Sequence, residues 1–134
     1  MLDLAREKLD GDTACVVMKN GEAPRILAGR GLKPLWSLFR QSPDSLRDAA
    51  VADKVVGRAA AGILLFCGAA AVYGAVMSRP ALAWLEEAGV TVAYGRLEDR
   101  IANRQGNDSC PMEKQVAAAR TPAEAVAALR EILG

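Results

Sequence analysis

The chain contains no histidine among its 134 residues. Histidine is the side chain that most often acts as a general base near neutral pH, and it is also the commonest ligand of transition metals. Its absence excludes the usual forms of both kinds of site. No set of three or four strong metal ligands remains, so we predict a protein without metal or cofactor, in which elemental analysis finds no stoichiometric zinc or iron.

Aromatic residues are scarce, and neither sign of charge is in excess. The sequence has two Trp, two Tyr and two Phe residues, so its core must be built from Ala, Val, Leu and Ile. Hydrophobic residues make up 51% and charged residues 25%, which is typical of a globular protein. Lys and Arg number 17 against 16 Asp and Glu, which leaves no electrostatic footprint for nucleic acid or an anionic membrane. The length predicts a single domain, residues 1–134.

Cysteine is also sparse, since Cys15, Cys67 and Cys110 form neither a disulfide framework nor a paired metal motif. Free thiols suit a reducing compartment, and the charged N-terminal segment is no signal peptide, so we expect a cytoplasmic protein. The stretch from Ala59 to Met77 carries no charge. Because Ala and Gly gain little from lipid, we interpret it as a helix that stops at Gly68 and a buried strand, not as a membrane span.

Hydrophobic patterning and turn signals predict alternating strands and helices. A short helix at 2–9 precedes a strand at 13–19, and Asn20-Gly21 predicts a hairpin that returns through residues 25–28. The later predicted elements are a helix from Pro34, a helix start at Ser42, a helix at 54–66 with Asp53 as its N-cap, a strand at 71–77, a helix from Ser78 to Gly89, a strand at 90–94, and helices starting at Cys110 and Thr121. The last helix is expected to bury Val126, Leu129, Ile132 and Leu133. This order predicts an α/β fold in which the later strands pair in parallel and helices cover the sheet.

Several segments together resemble one family of short prokaryotic proteins of unknown function. These are Gly29-Arg-Gly-Leu-Lys-Pro-Leu35, Val51-Ala-Asp-Lys-Val-Val-Gly57, Val76-Met-Ser78, and Asn103-Arg104 leading to Ser109-Cys-Pro-Met-Glu113. The resemblance covers nearly the whole chain in order. It implies a cytidine-deaminase-like fold, which is a three-layer α/β/α sandwich whose mixed sheet begins with an antiparallel hairpin.

The resemblance does not imply deamination. Zinc-dependent deaminases place His-or-Cys-x-Glu at the start of one core helix and Pro-Cys-x-x-Cys at the start of the next. The first position here is Val51-Ala52-Asp53, and the second, from Ser78 to Ala81, contains no cysteine. Since all three zinc ligands are missing, zinc deamination is excluded.

Cys110 is the candidate nucleophile. The segment Cys110-Pro-Met-Glu113 has the same frame as Thr121-Pro-Ala-Glu124, which is a capping box at the start of the last helix. A thiol is a poor cap, yet a helix N-terminus favours the nucleophilic thiolate. The alternative is a half-buried structural cysteine, with Ser109 or Asp108 as the real cap.

Two further segments are candidate anion sites. Lys54 in a first helical turn opposes the helix dipole, and a bound anion would remove that conflict, as would a pair with Asp53 or simple exposure to water. In Gly29-Arg30-Gly31 the glycines let backbone amides approach an anion. The alternative is that the turn needs glycine only because its backbone has a positive φ angle.

These residues support three hypotheses. The first is a domain that binds a small anionic or nucleotide-like ligand without metal, at the end of the sheet where helix N-termini meet. The residues assigned to that site are Gly29, Arg30, Gly31, Asp53, Lys54, Ser78, Asn103, Arg104, Ser109 and Glu113. The second is a cysteine-dependent enzyme or redox protein that uses Cys110, assisted by Lys54 or Glu113. The third is an interaction domain or a homo-oligomer without a small ligand.

Overall fold

A five-stranded mixed sheet forms the centre of the molecule in the computed structural model, which describes residues 1–134. The strands are β1 (Thr13–Met18), β2 (Arg25–Ala28), β3 (Ala50–Val56), β4 (Ala71–Ser78) and β5 (Thr91–Glu98), in the order β2-β1-β3-β4-β5. Strand β1 pairs antiparallel with β2 and β3, whereas β3, β4 and β5 run parallel. The α/β class and the antiparallel hairpin at the start of the sheet are therefore confirmed.

The helices cover the two faces of the sheet unequally. They are α1 (Leu2–Glu7), α2 (Lys33–Gln41), α3 (Arg58–Phe66), α4 (Arg79–Glu87), α5 (Pro111–Val116) and α6 (Pro122–Leu133), with one 3₁₀ turn at Pro43–Leu46. Helices α2 to α6 share a core of 26 buried residues on one face. On the other face only α1 packs, where Ala5 contacts a small cluster with Val16, Ala52 and Tyr73. The core is thus thick on one side of the sheet and thin on the other.

The predicted helix from Lys54 with Asp53 as its N-cap is wrong. Both residues lie in β3, which continues to Val56, and α3 begins at Arg58 with Gly57 as its N-cap. The β-branched residues on either side of this pair favour a strand, because the pleated backbone accommodates them well. Asp53 faces the core side and not the start of a helix, so the conflict expected between Lys54 and a helix dipole does not arise.

In each of the three parallel strands, the alternation of side chains between the two faces of the sheet is interrupted once, at a position that we call the step. Strict alternation would place residues five apart on opposite faces. The pairs that face the same core are Val51 and Val56 in β3, Val72 and Met77 in β4, and Val92 and Leu97 in β5. Near the step a side chain on Gly74 would come within 3.0 Å of Val56, and one on Gly95 within 2.8 Å of the Ala75 carbonyl oxygen. Asp53 lies at this step.

Two other predictions are settled by the fold. The uncharged stretch 59–77 divides into α3 and β4, and no helix combines the length and hydropathy needed to cross a membrane. Helix α6 buries Val126 and Leu129 as predicted, but Ile132 is 46% exposed and Leu133 only half-buried. Both residues lie in the last turn of α6, where only Leu133 packs against the core.

Candidate functional site

Two adjoining depressions lie where β3 ends and β1 begins. We call the first the small pocket, with a volume of about 280 Å³. It is lined by Gly11, Asp12, Ala14, Gly29, Arg30, Gly31, Asp53, Lys54 and Val55. We call the second the large groove, with a volume of about 510 Å³, and it shares Arg30, Gly31 and Val55 with the first. Its other walls are the start of α2, the start of α3, and the segment from Ile101 to Glu113.

Most of the residues predicted for a binding site meet here. Asp53, Lys54 and the turn from Gly29 to Gly31 line the small pocket, while Asn103, Arg104, Cys110 and Glu113 line the large groove. Ser78 and Ser109 are the two predicted residues that line neither depression.

Ser78 and Ser109 face neither depression. Ser78 is 1% exposed and caps α4, where its Oγ accepts a hydrogen bond from the Ala81 N–H at 3.2 Å. Ser109 is held in its own loop, because its N–H donates to the Asp108 carboxylate at 2.7 Å. Both serines thus have structural partners in this arrangement.

The turn that leads into α2 presents unpaired backbone donors. Gly29 and Gly31 have φ angles of 117° and 68°, in the region of positive φ that favours glycine. The Gly29 N–H donates to the Asp12 carbonyl at 3.0 Å, but the N–H groups of Arg30 and Gly31 find no acceptor in the protein. Leu32 occupies the N-cap of α2 and supplies no side-chain acceptor either. This turn therefore offers several donors and a helix N-terminus on one surface.

Asp53 is the most deeply buried ionisable group at the site. It is 5% exposed and pairs in register with Cys15 of β1. Its Oδ1 accepts a hydrogen bond from the Val55 N–H at 3.1 Å, a donor that the step in β3 brings to the side chain. Burial raises the pKa of Asp53 from its ordinary 3.8 to about 7, against the lowering effect of the hydrogen bonds from Val55, Cys15 and Lys54.

Lys54 does not neutralise its neighbour. Its ammonium group donates to the Gly11 carbonyl and so ties β3 to the turn that precedes β1. No ion pair in the structure involves Asp53. The predicted alternative of an Asp53–Lys54 ion pair is therefore wrong.

Glu113 fills the N-terminus of α3. Its Oε1 accepts a hydrogen bond from the Arg58 N–H at 2.7 Å, and its Oε2 accepts one from the Ala59 N–H at 2.9 Å. Gly57 makes room for this carboxylate, because a side chain there would come within 2.7 Å of Oε2. The anion that the helix dipole of α3 favours is thus supplied by the chain itself, from α5.

Arg58 forms a second connection between α3 and the segment around α5. Its guanidinium stacks over Trp84 at 4.2 Å and donates to the carbonyls of Ala117 and Ala119, at 3.4 and 2.6 Å. The wall of the large groove that contains α5 is therefore anchored to α3 from both sides.

Cys110 lies at the N-cap of α5, but its thiol makes no capping hydrogen bond. Thr121 in the equivalent frame does cap α6, with Oγ1 accepting from the Glu124 N–H at 3.1 Å and Glu124 reaching back to the Arg120 N–H at 3.3 Å. The two frames diverge because Glu113, unlike Glu124, turns away to the other helix. Cys110 is half-buried and lines the large groove.

Comparisons with known proteins identify the family of this chain. The sequence matches the family model TM1506, described as a domain of unknown function (DUF1893), over residues 4–133. The chain belongs to the DUF1893 family. It is similar to the crystal structure of a DUF1893 family protein (TM1506) from Thermotoga maritima at 2.70 Å resolution. The TM-score is 0.82 at 28% identity, over 97% of this chain and 85% of that one. No curated protein matches.

Sequence reasoning correctly assigned the chain to a family of unknown function but missed the role of Glu113 in this DUF1893 protein. One signal was present, since the start of α3 carries Gly57 and no Ser, Thr, Asp or Asn that could cap it. A helix start without a local cap requires a partner from elsewhere in the chain, which here is separated by 55 positions. No group of three or more Cys, Asp or Glu side chains lies close enough together to hold a metal ion.

Proposed function

We propose that this DUF1893 domain binds a phosphate-bearing, nucleotide-like ligand in the large groove without a metal ion. The scaffold would be of the cytidine-deaminase type, with the groove at the end of the sheet where that fold places its site, but without the zinc ligands that deamination requires. The proposal concerns binding, because Glu113, the carboxyl group on the wall of the groove, already accepts from two backbone N–H groups and is not free to act as a base for Cys110.

The observation that carries the proposal is the turn before α2. The N–H groups of Arg30 and Gly31 have no acceptor in the protein, and the free N-terminus of α2 follows directly. Phosphate groups bind at such places because several amides and the helix dipole act together. Arg30, Lys33 and Arg104 add positive charge on the walls of the same groove.

The rest of the groove suits the organic part of a ligand. Val55, Ile101, Met112 and Leu133 contribute apolar surface to the same groove. The volume of about 510 Å³ falls within the usual range of small-molecule sites. A molecule with an anionic end and a flat or apolar body, such as a nucleotide, matches both halves.

The test is a titration of the protein with inorganic phosphate, AMP and CMP, followed by calorimetry and backbone NMR. We expect the nucleotides to bind more tightly than phosphate and to shift the amide signals of Arg30 and Gly31. Replacing Arg30 with Ala should weaken nucleotide binding about tenfold, as expected for one charge-assisted hydrogen bond.

Arg40→Ala is the matched control. Arg40 is exposed on the last turn of α2, outside both depressions, so its loss should leave the affinity unchanged. Absence of binding by all three compounds at about 1 mM would contradict the proposal, since even a weak specific site saturates appreciably there. Equal effects of the two substitutions would show only general attraction between charges.

One observation favours a second candidate function, that of a cysteine-dependent enzyme. The Cys110 thiol lines the groove, within the volume that a ligand would occupy. A reactive thiol there would favour an enzyme, and the rate of its alkylation measures that reactivity independently of ligand binding.

A further inference from the structure

The small pocket has a different character from the large groove. Two of its nine lining residues are hydrophobic, whereas nine of the seventeen around the groove are. It opens beside the proposed phosphate site, with Arg30 and Gly31 belonging to both. A ligand held by its phosphate at this turn can therefore extend a polar group into the small pocket.

Backbone donors in this pocket also lack partners. The N–H groups of Gly11 and Asp12 find no acceptor in the protein. A side chain on Gly11 or Gly31 would meet nothing within 4 Å, so both glycines face open space. Two loops thus bring free donors to the same opening.

The wall of the pocket contains a buried acid without a cationic partner. Asp53 is 5% exposed and forms no ion pair, and its donors within the chain are the Val55 N–H at Oδ1, the Lys54 N–H and the Cys15 thiol. Buried carboxyl groups are usually paired with a cation or fully hydrogen-bonded, because desolvation is costly. These three donors do not fill the roughly four acceptor positions that an ionised carboxyl group offers.

We propose that Asp53 determines specificity in the small pocket by binding a hydroxyl group of the ligand, so that the ligand is a phosphate ester of a sugar or another polyol. This inference rests on the proposed function, because it assumes that a phosphate binds at the neighbouring turn. It adds the chemical class of the group attached to that phosphate.

A hydroxyl group fits this environment better than an amine. Lys54 and Arg30 already place two positive charges around the pocket, against the carboxyl groups of Asp53 and Asp12. A further ammonium group would lie beside those cations, whereas a hydroxyl group can accept from the free N–H groups and donate to Asp53. A hydroxyl group also binds Asp53 in either protonation state.

The test compares two probes that share a phosphate and a five-carbon chain. These are ribose 5-phosphate and pentyl phosphate, and only the first carries hydroxyl groups. We expect the wild-type protein to bind ribose 5-phosphate at least about tenfold more tightly, the effect of one hydrogen bond to a buried polar group. The carbon-13 signal of the Asp53 carboxyl group should shift with ribose 5-phosphate and not with pentyl phosphate.

Asp53→Asn isolates the role of the carboxyl group. This variant should lower the preference for ribose 5-phosphate to less than about threefold while the affinity for pentyl phosphate stays unchanged. Arg30→Ala should weaken both probes by a similar factor. Asp3→Asn, exposed on α1 and outside both depressions, is the matched control and should keep the preference.

The outcomes separate this inference from the proposed function. If both probes bind with equal affinity in the wild-type protein, the phosphate site stands and the role of Asp53 is wrong. If neither probe nor inorganic phosphate binds, the proposed function itself fails. Should Asp53→Asn not fold, the wild-type preference and the carboxyl signal still decide the matter.

Discussion

Asp53 and Cys15 are opposite each other in neighbouring strands, and both side chains are almost fully buried. Burial raises the pKa of the Cys15 thiol well above its ordinary value, and the Asp53 carboxylate adds to the rise. The thiol therefore stays neutral over the range in which Asp53 titrates. The pair contains one ionisable group near neutral pH, not two.

The raised pKa of Asp53 makes the stability of the protein dependent on pH. Since that pKa is about 7 in the folded chain and 3.8 is ordinary, the folded state binds more protons than the unfolded state between these values. Stability from this group is therefore highest in acid and falls as the pH rises towards and through 7. The advantage of the wild-type protein over Asp53→Asn should shrink by about 2 to 3 kcal/mol from pH 5 to pH 8.

Chemical denaturation of both proteins at several pH values measures this difference. Other titrating groups cancel in the comparison, because the two chains differ at a single residue. A difference that does not change with pH would mean that Asp53 keeps an ordinary pKa in the folded protein.

The three thiols should differ in reactivity because their surroundings differ. Cys15 is fully buried, and burial together with Asp44 raises the pKa of Cys67 to about 11. Cys110 is half-buried at the large groove. Iodoacetamide at about pH 8 should modify Cys110 first, Cys67 at least about tenfold more slowly, and Cys15 last.

Peptide mass spectrometry follows the three sites separately. Saturating AMP should slow the reaction at Cys110 and leave Cys67 unchanged, which would place the ligand over the thiol. If Cys110 resists iodoacetamide in the folded protein and Cys110→Ser retains full AMP affinity, the enzyme hypothesis loses its sole nucleophile. Faster modification of Cys67 than of Cys110 would contradict the predicted order.

At the scale of elements, the junction of α3 and α5 has the most specific geometry. Gly57 has φ of −97°, a value that any residue adopts, so its backbone does not require glycine. What requires glycine is the Glu113 carboxylate in the space of a side chain. Gly57 leaves the space, and the side chain of Glu113 fills it and caps Arg58 from 55 positions away, so the two residues form one structural unit.

Gly57→Ala should therefore cost about 2 to 3 kcal/mol of unfolding free energy, because it expels a charged acceptor from two amides. Glu113→Ala should cost a similar amount. In the Glu113→Ala background the Gly57→Ala change should cost less than about 1 kcal/mol, since nothing remains to be displaced. Additive losses in thermal or urea denaturation would show that the two residues act independently.

At the scale of the whole molecule, local patterns predicted the parts of the fold that local interactions determine. The hairpin through Asn20-Gly21 and the helix starts at Ser78 and Thr121 are confirmed, because the turn and the caps lie within a few residues of the elements they fix. The parallel strands and the α/β class follow from the alternation of these elements.

The two errors have different causes. Asp53 is a residue type that favours an N-cap, and its carboxyl group does accept from an N–H two residues on, but that N–H lies in β3, whose pairing with β1 and β4 determines the local structure. Glu113 has the frame of a capping box, yet it caps another helix. A sequence pattern describes neighbours along the chain, whereas strand pairing and the contact of Glu113 with α3 join residues that are far apart in the sequence.

Some residues of the candidate site could be predicted from the sequence, and others could not. Its glycine turn and the segment from Asn103 to Glu113 could be identified from residue types. The free amides of Gly11 and Asp12, and the depth of Asp53, could not, because they depend on how the start of β1 meets the end of β3.

The anchoring of α5 has a consequence for the architecture. The sheet is complete at Glu98, and the last two helices add no strand to it. Glu113 and Arg58 hold this terminal portion to α3, and Val126 and Leu129 of α6 are buried in the same core. The polar connection between the two portions, from 99 to 110, is mostly exposed. We therefore expect a chain cut within that connection to remain assembled as a complex of two fragments. The N-terminal fragment would bind the C-terminal fragment, which contains α5 and α6, through these same contacts.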